Sequence, residues 1–318
     1  MIKVVAIWCM LLLGTAGRAQ VKLDSLQLMQ DVKRLSADEM MGRKTGTKGN
    51  RKAQFYIKKR FGEVGLQKQF NTYEQPFFFD DKGSRLMGTN LMGYIPGTAD
   101  SWIVISAHYD HLGVGKPVKG DSIYNGADDN ASGVAGLLAL AAYFKAHPPH
   151  HNLLFVAFDA EEEGLQGAKA FIRQSESFLP KIKLNINMDM ISHSSAHELY
   201  ACGTHQFPML KPPLEKVAAK SNIKLLFGHD GGTNGQDNWV NQSDQGPFYA
   251  AGIPFIYFGV EDHPVYHQLG DSFETITPAF FYPAVQTIIA AADRLDKQLG
   301  VALKIPPRSK WIMKSTQP

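Results

Sequence analysis

The stretch LLFVAFDAEEEGLQG, Leu153 to Gly167, joins six consecutive apolar residues to four carboxylates in five positions. A short apolar run of this kind reads as a strand covered on both faces, as in a parallel sheet. The acids after it repel one another, and none could be buried unpaired at tolerable cost. They are therefore a helix start, a solvated loop or a cage for cations.

Around this stretch the pattern from residue 88 onward alternates strand and helix. TNLMGYIPG (89–97), WIVISA (102–107), LNINMDM (184–190) and IPFIYFGV (253–260) read as strands. Ser132 to Phe144 reads as a helix, with Val134, Leu137, Leu138 and Ala141 on its inner face at i, i+3, i+4, i+7. Residues 164–173 form a second helix. A long last helix starts at Thr277-Pro278, a cap followed by a proline at the first helical position. Such alternation predicts an α/β fold: a three-layer αβα sandwich around a mostly parallel mixed sheet. Two amphipathic helices, 21–36 and 49–64, precede it. The glycine-rich MGRKTGTKGN (41–50) between them lacks the ending and the preceding strand of a phosphate loop, and reads as a capped turn.

The chain of 318 residues, 44% hydrophobic and 20% charged, is long enough for one sizeable domain. A net charge of +3 gives no footprint for nucleic acid. The basic cluster Arg51, Lys52, Lys58, Lys59 and Arg60 reads as the wet face of a helix. Residues 1–19 read as a secretory signal: Lys3, an apolar run from Val4 to Leu13, and Gly17-Arg18-Ala19 before the cut. That run is short of the ~20 residues that span a bilayer, so no membrane span is expected. The expected organisation is one domain, 20–318, with a helical N-terminal portion (20–66) and a catalytic core (88–299), exported to the periplasm or outside the cell. Beyond Cys9 in the signal only Cys202 remains, which precludes an internal disulfide and reads as a small hydrophobe.

Sites in such sheets lie beyond the carboxyl ends of the strands. Those ends carry HYDH (108–111), NGADDNASG (125–133) with Asp128 and Asp129, DAEEEG (159–164), Asp189, and EDHPVYHQLGD (261–271) with His263, His267 and Asp271. Each alone has a plain reading as a cap, turn or surface residue; GVG (113–115) is likewise too weak for a dinucleotide loop. Together, five segments at this edge delivering His, Asp, Glu, Asp and His form a mixed nitrogen and oxygen donor set that suits zinc. Three carboxylates and a hydroxide carry four negative charges, which two divalent ions cancel; such a pair clamps the hydroxide between them. Asp110, two residues after His108, is placed to accept that histidine's other N–H.

SAHYDHLG, GADDNASG, AEEEGLQG, NMDMIS, SDQGPF and YHQLGDSFETI resemble, in order and spacing, the motif series of the M28 family of zinc-dependent aminopeptidases. The likeness runs from about residue 37 to 295, without the protease-associated insert of some members. It implies a peptide substrate and two zinc ions. Asp129, rather than Asp128, would bridge the ions, followed by a cis peptide to Asn130. His108 and Asp189 would complete one site, and Glu162 and His267 the other, His267 being preferred to His263 because YHxxxD matches the family. Glu161 would be the general base, moving a proton from the attacking water to the leaving amine. Asp159 reads as a strand-end or capping residue and Glu163 as solvent-facing. Gln245 departs from the family, where many relatives carry histidine. The loops 228–248, with Trp239 and Phe248, would form the pocket for the N-terminal residue. Oligomeric state is not legible. Two other readings are weighed. A single-zinc glutaminyl cyclase on a similar fold would carry Trp where Tyr266 stands and a longer segment after Glu-Glu. A non-catalytic relative would have lost ligands or the base, yet all six positions are filled.

Overall fold

Leu153, Phe155 and Ala157 point to one side of their strand and Leu154, Val156 and Phe158 to the other, each at most 1% exposed. The first three join one hydrophobic cluster and the second three another, so this strand does lie between two apolar layers. A computed structural model describes residues 23–69, 71–231 and 237–300. The expected signal, with Cys9, and residues 301–318 lie outside the described residues.

In chain order the elements are α1 (Ser25–Leu35), α2 (Lys48–Val64), β1 (Gln67–Lys68), β2 (Glu74–Asp81), β3 (Ser84–Ile95), β4 (Trp102–His108), β5 (Gly113–Val118), β6 (Asp121–Tyr124), α3 (Gly133–Ala146), β7 (Asn152–Phe158), α4 (Gln166–Gln174), β8 (Ile182–Met188), β9 (Glu198–Cys202), α5 (Lys211–Ala218), β10 (Lys224–Phe227), α6 (Gln245–Ala250), β11 (Phe255–Gly259) and α7 (Pro278–Gln298). The main sheet runs β1-β3-β7-β4-β8-β11-β9-β10, with β2 on β3. The four central strands β7, β4, β8 and β11 are parallel. β3 and β9 flank them antiparallel. The parallel centre puts four carboxyl ends on one edge, which is where ligands bind in open α/β sheets.

Residues of α1, α2, α3, α5 and α7 fill the larger cluster on one face of the sheet, while α4 and α6 supply Ala168, Phe171 and Phe248 on the other. The result is the expected three-layer mixed sandwich. The structure corrects some local readings and agrees with others. Thr277 makes no side-chain cap bond, although Pro278 does open α7. Gly113-Val114-Gly115 starts the β5–β6 hairpin. Arg60 is not on a wet face: its Nε donates to Asp31 Oδ1 at 2.8 Å, tying α2 to α1. Cys202 is buried, its Sγ directed at the His229 carbonyl at 3.6 Å, and burial pushes its pKa up, as suits an inert hydrophobe.

Candidate metal centre

Two loops are pinned to the strand edge by carboxylates that each accept consecutive backbone N–H groups. Asp110, just beyond β4, accepts from Glu161 (3.0 Å) and Glu162 (3.2 Å). Its Oδ1 stands 3.7 Å from His108 Nδ1, which instead faces the Asp110 carbonyl at 3.3 Å. Asp110 is thus first an anchor of the acidic loop, a role not read from its spacing. Asp271 holds the other loop through Asp128 N (2.8 Å) and Asp129 N (3.0 Å), and burial beside Asp128 lifts its pKa to about 6. Between these anchors the Asp129–Asn130 peptide is cis. Ala160, Leu165, Met190 and His267 all have positive φ. Left-handed backbone costs non-glycine residues of order 1–3 kcal/mol each and clusters where a site dictates geometry.

The acids beside one another in sequence now separate. Asp128 turns away, accepting from Ser192 N (2.7 Å), Ser192 Oγ (2.8 Å) and His263 Nε2 (2.9 Å). That interaction occupies His263 away from the other acids. Asp129 faces His108, with Oδ1 3.4 Å from Nε2, and also faces His267, with Oδ2 3.1 Å from Nε2. His108 Nε2 lies 3.2 Å from Asp189 Oδ1, and His267 Nε2 lies 3.4 Å from Glu162 Oε2. The two oxygens of one carboxylate therefore serve two neighbouring donor groups.

His111, present in HYDH but given no role there, belongs to the second group. Its ring is fully buried; Nδ1 lies 2.7 Å from Glu162 Oε1 and 3.6 Å from Asp129 Oδ2. Ligand atoms of His108, Asp129 and Asp189, and those of His111, Asp129 and Glu162, each fall within 4.8 Å of one another. Gly126 makes room for this ring: a Cβ there would stand 2.5 Å from His111 Cδ2 and 2.1 Å from the Asp129 carbonyl. Burial raises the Glu162 pKa, but bonds from His111 and His267 outweigh it and hold the carboxyl far below its usual range. Burial lowers that of His267, yet Asp129 and Glu162 bring it to about 10. Glu161 is pushed well up, chiefly by burial, with His108 opposing and Asp189 and Asp244 reinforcing. Asp244 is itself buried, with neither carboxylate oxygen bonded among the described residues; it sits in SDQGPF, where only Gln245 drew notice. Gln245 is a core residue, bonded to Asn187 and to the Trp239 carbonyl.

The other two acids of DAEEEG differ in part from expectation. Asp159 does stand at the end of β7, but as a buried tie rather than a cap: it accepts from Thr45 Oγ1 (2.8 Å), Asn50 Nδ2 (2.9 Å) and Thr89 N (2.8 Å), binding the N-terminal segment to the core. Burial, then Asp110, raises its pKa to about 7. Glu163 is not free in solvent but pairs with Lys44 at 2.7 Å. Among the described residues, the fully buried cation near these acids is Arg43, from the stretch read as a turn. It donates to the carbonyls of Leu35, Tyr109, Asn125 and Gly126 at 2.5–2.8 Å. Its partners lie up to 83 positions away, so no local pattern announces it.

Asp129, Glu161, Glu162, Asp189, His108 and His267 line a pocket of about 440 Å³. Phe248 is core between α4 and α6 rather than pocket wall, stacking on Phe171 at 5.5 Å; Leu165, Met190 and Tyr266 are the pocket's larger apolar faces. A larger cavity, about 840 Å³ between α3, α5 and α7, contains none of these acids.

The chain is 29% identical to aminopeptidase YwaD of Bacillus subtilis (strain 168) over 245 residues, covering 74% of this chain and 50% of that protein. It spans about half the length of the curated relatives it matches. Among solved structures it superposes on a zinc aminopeptidase from Bacillus subtilis with a TM-score of 0.68 at 18% identity, covering 87% of this chain and 97% of that one. The Bacteroides thetaiotaomicron glutaminyl cyclase bound to N-acetylhistamine gives 0.69 at 18%, covering 85% and 97%. These likenesses show the fold that both proteins share with this chain. The model of peptidase family M28 matches residues 90–292, and the chain belongs to that family.

Proposed function

We propose that the protein is an exported dizinc aminopeptidase that removes N-terminal residues from peptides, with Glu161 as its general base. The observation that carries this reading is the divided Asp129 carboxylate, Oδ1 toward His108 and Oδ2 toward His267. His108, Asp129 and Asp189 would hold one zinc; Asp129, Glu162 and His267 would hold the other, with His111 at hand. The donor set fits: imidazole nitrogens and carboxylate oxygens converge, and the buried Arg43 near them is engaged by backbone carbonyls rather than by the acids themselves. Acids this crowded need cations to offset their repulsion and desolvation. When bound, zinc supplies Lewis-acid polarisation of the scissile carbonyl and acidifies water.

The residues' own work is to place and move protons. Asp110 fixes the backbone that presents Glu161 and Glu162. The raised Glu161 pKa suits a group that takes a proton from water and returns it to the leaving amine. Tyr266 stacks on His267 with centroids 4.0 Å apart, where the cyclase alternative calls for tryptophan. The signal at 1–19 and the single domain 20–318 belong to the same proposal.

Purified protein should be assayed, before and after chelation and zinc return, on aminoacyl anilides beside a glutaminyl peptide. Chelation should abolish anilide cleavage and zinc restore it. Full activity in chelator rejects the metal mechanism, and cyclisation without anilide cleavage selects the cyclase. Mass spectrometry of the mature chain from cells tests the cut after residue 19.

A further inference from the structure

The catalytic pocket does not end at its acids. A second groove of about 570 Å³ runs between α4 and α6 and shares Leu165, Lys169 and Asn241 with the pocket. One wall is Leu165, just before α4, with Lys169, Ile172 and Arg173 on the helix face beyond it. The other wall holds Gly246, Pro247, Ala250 and Ala251, whose small side chains leave the space open. Beneath it, Phe171 and Phe248 lock the two helices together, so the groove is built on packed elements.

The groove also has a direction. It opens off the pocket at Leu165, whose N–H bonds to the Glu161 carbonyl at 2.8 Å. Tyr266, His267 and Met190 line the pocket but not the groove. On the aminopeptidase reading, Glu161 protonates the leaving amine, so the segment beyond the cut bond departs on its side. Lys169 is engaged with the Gly164 carbonyl at 2.9 Å. The guanidinium of Arg173, exposed farther along, has no hydrogen bond or ion pair among the described residues. From Leu165 to Arg173 the helical rise is about 12 Å. An extended peptide covers that in roughly three to four residues.

The geometry points to a substrate-length and carboxylate subsite: the groove takes the three to four residues after the scissile bond, apolar side chains against Ile172 and Pro247, with Arg173 pairing the C-terminal carboxylate. This rests on the aminopeptidase reading and narrows its substrate to short peptides with a free C-terminus.

The test compares kcat/KM on Leu-(Ala)n peptides of increasing n, as free acids and as C-terminal amides, with a leucyl anilide alongside. Rates should rise with length to about n = 4. There the acid should exceed the amide roughly 2- to 5-fold, the range for a solvent-exposed ion pair. That preference should vanish in Arg173→Gln, persist in part in Arg173→Lys, and shrink in 0.5 M salt. Ala250→Trp should lower the ratio of long-peptide to anilide cleavage about tenfold. Equal acid and amide rates at every length, a preference surviving in Arg173→Gln, or an unchanged ratio in Ala250→Trp overturns the subsite. Cleavage of neither anilide nor peptide defeats the aminopeptidase reading instead. Calorimetric titration of the zinc-loaded protein with the n = 4 acid and amide then decides the groove: tighter acid binding lost in Arg173→Gln upholds it, and equal binding overturns it.

Discussion

Arg43 is the perturbation whose cost can be worked most fully from contacts. Its guanidinium is entirely enclosed and satisfies four carbonyls, those of Leu35, Tyr109, Asn125 and Gly126, and lies 3.5 Å from a fifth, that of Asp129. Burial lowers its pKa to about 10, with Asp129, Asp271 and Asp110 opposing, so it stays charged at neutral pH. Arg43→Met keeps much of the volume and strands the acceptors. A buried carbonyl left without its donor costs about 1–3 kcal/mol, so four of them cost roughly 4 kcal/mol or more. A whole domain is stable by only ~5–15 kcal/mol. Arg43→Lys retains charge but has three donors and no planar fork, and should recover only part of the loss. In thermal unfolding of chelated protein, Arg43→Met should melt roughly 10 °C below wild type, with Arg43→Lys between. Zinc content should fall as well, because the same guanidinium holds the loop that carries Asp129. A Met variant melting within about 3 °C of wild type, with full zinc content, would refute the reasoning.

Three further outcomes follow from particular contacts. Asp129→Ala should reduce zinc at both positions by direct metal analysis, and retention of two ions per chain would sink the bridging assignment. His111→Ala removes the imidazole 2.7 Å from Glu162; a zinc titration should show affinity about 10- to 100-fold weaker for one of two ions, whereas two unaltered affinities would exclude His111 from the centre. Asp296 accepts from His150 N (2.7 Å), His151 N (2.8 Å) and His151 Nδ1 (3.0 Å). Burial would raise its pKa, but these bonds outweigh it and hold it below the usual carboxylate range. Its stabilisation is therefore present above the unfolded value of ~3.9 and lost as pH falls through the native one. Asp296→Asn should be less stable at pH 7, by roughly 1–3 kcal/mol, and the gap to wild type should narrow toward pH 3; a constant gap contradicts the linkage.

The parts of the fold legible in the sequence were those with strong local periodicity: β7 as an unbroken apolar run, α3 by its i, i+3, i+4 pattern, α7 by Pro278 and its apolar face. Strands β2, β9 and β10 were missed because they sit toward the sheet's antiparallel side or outer edge and mix polar with apolar residues. At the centre, residue types and strand ends could be read, but Asp128 against Asp129 and His263 against His267 are chemically identical choices. Only the motif resemblance favoured one of each, and the structure shows the physical difference: Asp128 and His263 bond to each other. Arg43, Asp159 and Asp244 were misread or overlooked for a common reason. Their roles depend on groups distant in the chain, and burial of a charge leaves no trace in its immediate neighbours.

The central claim is that Glu161 moves protons while other residues hold two ions. Zinc content of Glu161→Gln, determined beside its turnover of a leucyl anilide, tests it most directly. The account predicts two zinc ions per chain, as in wild type, with kcat lower by about 10²- to 10⁴-fold. Loss of zinc in this variant, or turnover close to wild type with both ions bound, would contradict it.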